Sequence, residues 1–133
     1  MTDDELMAQA AAARDKAYAP YSNFRVGAAV LAADGRMFGG CNVENASYGL
    51  CNCAERTALF SAIAAGVAVN TIERIAVIGD TPRPISPCGA CRQVMFELGG
   101  PQLRVVLGNL QGARQLTTAD ELLPGGFRLE RPA

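Results

Sequence analysis

Apolar residues along the first fifth of the chain recur at helical spacing. Leu6, Ala10, Ala13 and Ala17 fall on one face,. Thr2-Asp3-Asp4-Glu5 ahead of them has the form of a capping box, with Thr2 as N-cap and Glu5 at the third helical position,. Pro20 stops the pattern, so a helix is predicted to end near Ala19,. Two apolar runs follow, over 26–33 and 37–42. They read as strands joined by a two-residue hairpin turn at Asp34-Gly35,. Residues 42–52 are mostly polar and predict a loop.

An alanine-rich helix is predicted over 53–65, stopped by Gly66,. The short apolar run 72–79 predicts a buried strand, and Asp80-Thr81-Pro82-Arg83-Pro84 a rigid loop. A second such unit follows: a helix over 88–98 ended by Gly99-Gly100-Pro101, then a strand over 103–108. After a turn at 109–112 come a short strand over 113–117 and a helical turn capped by Thr118 with Glu121 at its third position. Residues 123–133 form a tail without periodicity. The order α-β-β-α-β-α-β-β predicts a three-layer α/β/α sandwich with a mixed five-stranded sheet.

Composition narrows this picture. A chain of 133 residues, half of them hydrophobic, suits one domain spanning 1–133 with one sheet and its covering helices,. A net charge of −1 offers no basic footprint for nucleic acid,. The apolar stretches are too short for a membrane span. The acidic start Met1-Thr2-Asp3-Asp4-Glu5 is unlike a secretory leader, so a cytoplasmic location is expected,.

The chemistry lies in the cysteines. There are five, at positions 41, 51, 53, 88 and 91, and no histidine. An odd number in a chain read as cytoplasmic favours metal binding or reactive thiols over a disulfide framework. Without histidine, any metal site must use thiolates and carboxylates, and a carboxylate is the expected proton carrier,. Cys53 opens one predicted helix, and Cys88 with Cys91 opens another. The field at a helix N-terminus stabilises thiolates. Three such ligands suit one soft tetrahedral ion, zinc, with one position open. A water there can be acidified to a pKa of roughly 7, and Glu55, two residues past Cys53, would carry its proton. Arg56 would offset the negative charge of three thiolates around one divalent ion; the alternative is a solvated charge on the helix face. A structural site of four cysteines, with Cys51 as the fourth, is the alternative for the metal.

Several segments together resemble the cytidine deaminases of the small, homotetrameric kind. They are Ala19-Pro20-Tyr21-Ser22-Asn23-Phe24-Arg25-Val26-Gly27-Ala28, Gly40-Cys41-Asn42-Val43-Glu44-Asn45-Ala46, Cys51-Asn52-Cys53-Ala54-Glu55-Arg56-Thr57-Ala58, Ser86-Pro87-Cys88-Gly89-Ala90-Cys91-Arg92-Gln93 and Leu122-Leu123-Pro124-Gly125-Gly126-Phe127. Three cysteines with a non-ligand glutamate form a known signature of zinc nucleobase deaminases, which this chain matches. The resemblance implies one zinc per chain on Cys53, Cys88 and Cys91, with Glu55 as proton shuttle. It implies that Asn42 and Glu44 hold the ribose, that Phe24 packs on the pyrimidine and that the Ala54 N–H binds the base carbonyl. The Ser86 carbonyl would face the leaving amine, and Phe127 would reach a neighbouring subunit's site. On residues alone, Phe24 could be core, Glu44 a surface charge, and Phe127 an anchor for its own domain.

The activity implied is hydrolysis of cytidine and 2′-deoxycytidine to uridine and 2′-deoxyuridine, with loss of ammonia, in pyrimidine salvage. The partners implied are a small pyrimidine nucleoside and further copies of the chain in a homotetramer, with neither nucleic acid nor membrane. The rival activities are deamination of a nucleoside antibiotic such as blasticidin S, editing of RNA or DNA, and a zinc-stabilised binding module that leaves Glu55 idle. The segment Asn42-Val43-Glu44-Asn45-Ala46 points to the cytidine branch.

Overall fold

Thr2 caps the first helix as its sequence requires. In the computed structural model, which describes residues 1–129, its side chain accepts from the Glu5 N–H at 3.1 Å, and Glu5 Oε1 accepts from the Thr2 N–H at 3.1 Å. The far end of the predicted tail, 130–133, lies outside the described residues. Helix α1 covers Asp3–Arg14, five residues short of the predicted end at Ala19. The shortening has a long-range cause. The Tyr18 N–H donates to the Asn42 carbonyl, and the Glu44 N–H donates to the Tyr18 carbonyl. That bridge needs extended backbone at Tyr18, which local spacing does not report.

Strands β1 (Val26–Ala32) and β2 (Met37–Cys41) form the expected hairpin. Its loop has three residues, not two: the Ala32 N–H donates to the Arg36 carbonyl across Ala33, Asp34 and Gly35. Gly35 takes φ +94°, the left-handed residue that a three-residue hairpin loop requires,. Within the loop predicted over 42–52, Tyr48–Leu50 form a 3₁₀ turn, and Val43 bridges to Asn52.

Helix α2 (Ala54–Ala64), strand β3 (Ile72–Gly79), helix α3 (Gly89–Gly99), strands β4 (Arg104–Asn109) and β5 (Arg114–Thr118), and the short helix α4 (Ala119–Leu122) complete the order. The β3 bounds match the sequence expectation, and the β4 and β5 bounds lie one residue later. Thr118 caps α4 by accepting from the Glu121 N–H at 3.2 Å.

The sheet order is β2-β1-β3-β4-β5. Only the β3–β4 pair is parallel, with α3 in its connection, and the other three pairs are antiparallel. Strand β1 is buried at every position, as a strand covered on both faces must be,. On one face Leu6, Met7 and Ala10 of α1 pack on Ala29, Leu31, Ala76, Ile78 and Val106. On the other, Ala58, Leu59 and Ala62 of α2 and Met95 and Phe96 of α3 pack on Val30, Ile75, Val77 and Val105. The result is the predicted three-layer α/β/α arrangement. None of the described helices is long and apolar enough to cross a membrane.

Glycine sets how closely α2 approaches the sheet. A Cβ on Gly40 of β2 would lie 2.4 Å from the Ala58 nitrogen and 2.6 Å from the Ala54 carbonyl oxygen. Ala54, Ala58 and Ala62 are each fully buried at this contact. Small side chains on the helix and the bare Gly40 on the strand therefore seat the α2 N-terminus, which carries Cys53, Ala54 and Glu55.

Candidate metal centre and nucleoside pocket

Cys53 and Cys88 are the N-caps of α2 and α3, each in extended backbone, and Cys91 lies in the first turn of α3. The two helices thus begin one residue later than predicted, which leaves Cys53 and Cys88 just ahead of the first helical residue, still within the positive field of two helix N-termini,. Their Sγ atoms all lie within 4.8 Å of one another, with Cys53 to Cys88 at 3.9 Å and Cys88 to Cys91 at 3.5 Å. A tetrahedral zinc with Zn–S bonds of about 2.3 Å sets its sulfurs about 3.8 Å apart. The three thiols fit that ion.

The thiols already behave as a ligand set. The Cys53 thiol is drawn down to about 5, first by a hydrogen bond from Cys91 and then by Arg56, against the cost of burial. Cys91 is pushed up by the same hydrogen bond with Cys53, and by burial. The two shifts are opposite faces of one coupling: Cys53 gives up its proton the more readily, and Cys91 holds its own. A metal ion would take that proton's place.

Arg56 faces this cluster. Its Nη2 donates to Cys53 Sγ at 3.3 Å. It is in the first turn of α2, where a positive charge opposes the helix dipole,. The thiolate explains why it is there. Its buried Nε has no hydrogen-bond partner among the described residues.

Glu55 lies beside Cys53 and Cys88 and is only 4 % exposed. Burial raises its pKa from the ordinary carboxylate value, with the nearby Cys53 charge acting in the same direction. A buried carboxylate that retains a proton nearer to neutral pH suits acid–base work.

In front of Glu55 is a cavity of about 190 Å³. Phe24, Asn42, Ala54 and Ser86 line it together with Cys53, Glu55 and Cys88. Seven of the residues singled out in the sequence therefore meet in one place. Ala54 is the first helical residue of α2, so its N–H has no acceptor within the helix,. The cavity lies beyond the C-terminal end of β3, where ligands commonly bind in open α/β sheets,.

Three predicted residues stand differently. Glu44 lines an adjoining depression with Tyr21, Ser22, Tyr48 and Cys51, next to the cavity rather than in it. Its carboxylate accepts from the Tyr21 N–H at 2.9 Å and the Ser22 N–H at 3.2 Å. Phe127 is 64 % exposed in the single chain, with its carbonyl accepting from Gln93 Nε2 at 2.9 Å. Cys51 is not among the clustered thiols: its Sγ accepts from the Asn45 N–H at 3.3 Å.

Sequence reasoning missed Arg92. Its Nε donates to the Pro87 carbonyl at 2.8 Å, Nη1 to the Leu122 carbonyl at 2.9 Å and Nη2 to Ser86 Oγ at 2.7 Å. One side chain thus pins the Ser86-Pro87-Cys88 turn to the end of α4. Ile85 and Val26 also line the cavity, and neither is singled out in the sequence as a site residue.

The family model described as the cytidine and deoxycytidylate deaminase zinc-binding region matches residues 1–108. The chain is 57% identical over 125 residues to a cytidine deaminase of Halalkalibacterium halodurans, covering 94% of this chain and 93% of that one. It is 49% identical over 130 residues to a cytidine deaminase of Sporosarcina psychrophila, covering 98% and 94%. The crystal structure of cytidine deaminase from Burkholderia pseudomallei superposes with a TM-score of 0.95 at 64% identity, covering 96% of this chain and all of that one. Identity of this depth along nearly the whole chain reflects kinship and not shared architecture alone, and the chain belongs to the cytidine and deoxycytidylate deaminase family.

Proposed function

We propose that this chain, acting over 1–133 as one catalytic domain, is a zinc-dependent hydrolase. It converts cytidine and 2′-deoxycytidine, with water, to uridine and 2′-deoxyuridine and ammonia, a step of pyrimidine salvage. The observation that carries the proposal is the buried Glu55 carboxylate lining one cavity of about 190 Å³ together with two of the three clustered thiols.

Zinc on Cys53, Cys88 and Cys91 would supply a Lewis acid able to make water nucleophilic near neutral pH. As a water oxygen bonds to C4, Glu55 would take the water's proton and place it on N3 of the pyrimidine. It then moves a proton from the new C4 hydroxyl to the departing amino group, so C4 becomes a carbonyl as its bond to nitrogen breaks. Phe24 packs on the ring, and the Ala54 N–H holds the base carbonyl, which together set C4 facing the metal side. The Ser86 carbonyl accepts from the leaving amine. Asn42 and Glu44 hold the sugar, so binding energy remote from C4 positions C4 for attack. Arg56 moderates the negative charge of the thiolates.

The active form is a homotetramer in the cytoplasm, with Phe127 closing a neighbour's site. Two features support this. Phe127 and Tyr48 are large aromatic side chains more than half exposed in the single chain. The Leu122–Phe127 segment is apolar without periodicity.

A substrate panel with ammonia detection tests the proposal. Cytidine and deoxycytidine should release ammonia, and free cytosine should be turned over far more slowly. Turnover confined to blasticidin S, or to cytosine within an oligonucleotide, would replace this assignment. Failure with every substrate in the zinc-loaded protein would point to a binding module.

A further inference from the structure

Residues 21–24 connect two walls assigned to different parts of the substrate. Tyr21 and Ser22 hold the Glu44 carboxylate through their N–H groups, and the Ser22 hydroxyl donates to Glu44 Oε2. The same hydroxyl oxygen accepts from the Phe24 N–H at 3.0 Å. Asn23, between them, has φ +56°, a left-handed conformation that asparagine accepts more readily than most residues with a Cβ,. Downstream, Asn42 Nδ2 donates to the Phe24 carbonyl at 2.7 Å, and Asn42 Oδ1 accepts from the Val26 N–H at 2.8 Å. Phe24 is therefore held on both sides by groups that belong to the sugar end.

We propose that Ser22 is a positioning residue for nucleoside binding: its hydroxyl ties the Glu44 carboxylate to the backbone of Phe24, so that the sugar and base walls are set as one unit. The proposal rests on the cytidine deaminase assignment. Ser22 touches neither the metal ligands nor Glu55, so its work is to hold the ground-state grip on the nucleoside rather than to move protons. Alanine would leave Glu44 Oε2 and the Phe24 N–H each without the hydroxyl. Threonine would keep it.

Zinc-loaded Ser22→Ala, Ser22→Thr and Glu44→Ala proteins, and the Ser22→Ala/Glu44→Ala pair, are compared in cytidine kinetics, calorimetric cytidine binding and amide exchange at Phe24. Ser22→Ala should raise KM roughly tenfold, the size of one lost hydrogen bond to a charged group, with kcat within about twofold. Ser22→Thr should restore KM, and Phe24 amide exchange should quicken in the alanine variant alone. Adding Ser22→Ala to Glu44→Ala should change KM by less than about twofold, since coupled groups are not additive. An unchanged KM with a lowered Tm would reduce Ser22 to a turn-forming residue and overturn the proposal, as would full additivity with Glu44→Ala. If the wild type binds cytidine without deaminating it, the reaction assignment fails, and the Kd of Ser22→Ala against wild type still decides Ser22. Absence of cytidine binding by the wild type overturns both.

Discussion

Arg56 Nη2 lies 3.3 Å from Cys53 Sγ, a cation held against the sulfur of the residue at the N-cap position of the same helix. The pairing marks Cys53 as a thiolate site, and Cys88, 35 residues away in sequence, comes within 3.9 Å of it. Cys51, two residues from Cys53, turns instead to the backbone of Asn45. Cys51→Ala should therefore keep one zinc per chain in elemental analysis. Alanine at Cys53, Cys88 or Cys91 should lose the metal or fail to fold, because metal binding and folding are coupled at such sites. Loss of zinc on Cys51→Ala would revive a four-cysteine structural site.

Gly40 is where β2 and α2 come closest. An added Cβ would meet backbone atoms, at 2.4 Å from the Ala58 nitrogen and 2.6 Å from the Ala54 carbonyl oxygen, and backbone does not yield as a side-chain tip would. Gly40→Ala should destabilise by about 1–3 kcal/mol, the usual cost of overpacking a core. Because the contact seats Ala54 and Cys53, zinc affinity should fall with it. Thermal melting with metal titration checks both, and an unchanged Tm would mean that the contact has slack.

Glu44 gives a pH dependence with a definite sign. The Ser22 hydroxyl, aided by the Tyr21 and Ser22 amides, lowers its pKa below the ordinary carboxylate value. A depressed carboxylate keeps its charge as pH falls past the usual range and loses it only below. Sugar binding through Glu44 should thus be constant from neutral pH down to the ordinary carboxylate pKa, and weaken under more acid conditions. Calorimetric Kd values for cytidine across that range provide the check. Weakening that begins above the usual carboxylate range would contradict the hydrogen-bond pattern.

Phe127 predicts how activity responds to mixing. Glu55→Ala and Phe127→Ala chains, dissociated together and reassembled, should form some sites with intact Glu55 from one chain and intact Phe127 from another. Activity should then exceed that of either parent. No gain after mass spectrometry verifies mixed assemblies, or a fully active monomer in light scattering, would place Phe127 over its own domain.

Much of this was legible in the sequence because the signals were local. The Thr2 and Thr118 caps each depend on residues within one turn, and the apolar run Ile72–Gly79 is bounded by breakers on both sides. The cysteine spacing carried the metal centre for the same reason: two helix starts, each recognisable alone, need only converge. What escaped was long-range. Tyr18 leaves the α1 pattern because its backbone pairs with Asn42 and Glu44, some two dozen residues on. Ser22 and Glu44 meet only after the chain returns through the hairpin. Arg92 gave one weak signal, a basic side chain near the start of a helix, but its partners Pro87 and Leu122 lie on separate segments. Asp34-Gly35 showed that a hairpin would form, while the loop length depended on the pairing of Ala32 with Arg36.

Glu55 decides the account. It is buried, lines the cavity beside Cys53 and Cys88, and retains its proton more readily than an ordinary carboxylate. Its proposed role is to carry protons and not to hold metal. The measurement is single-turnover cytidine deamination by Glu55→Ala protein verified to contain one zinc per chain, beside wild type of equal zinc content. The expected result is full zinc occupancy with a rate lower by at least roughly 10²–10⁴-fold, the usual contribution of a positioned acid–base group. Deamination at a near-wild-type rate by the zinc-loaded variant would remove Glu55 from the mechanism and contradict the central claim.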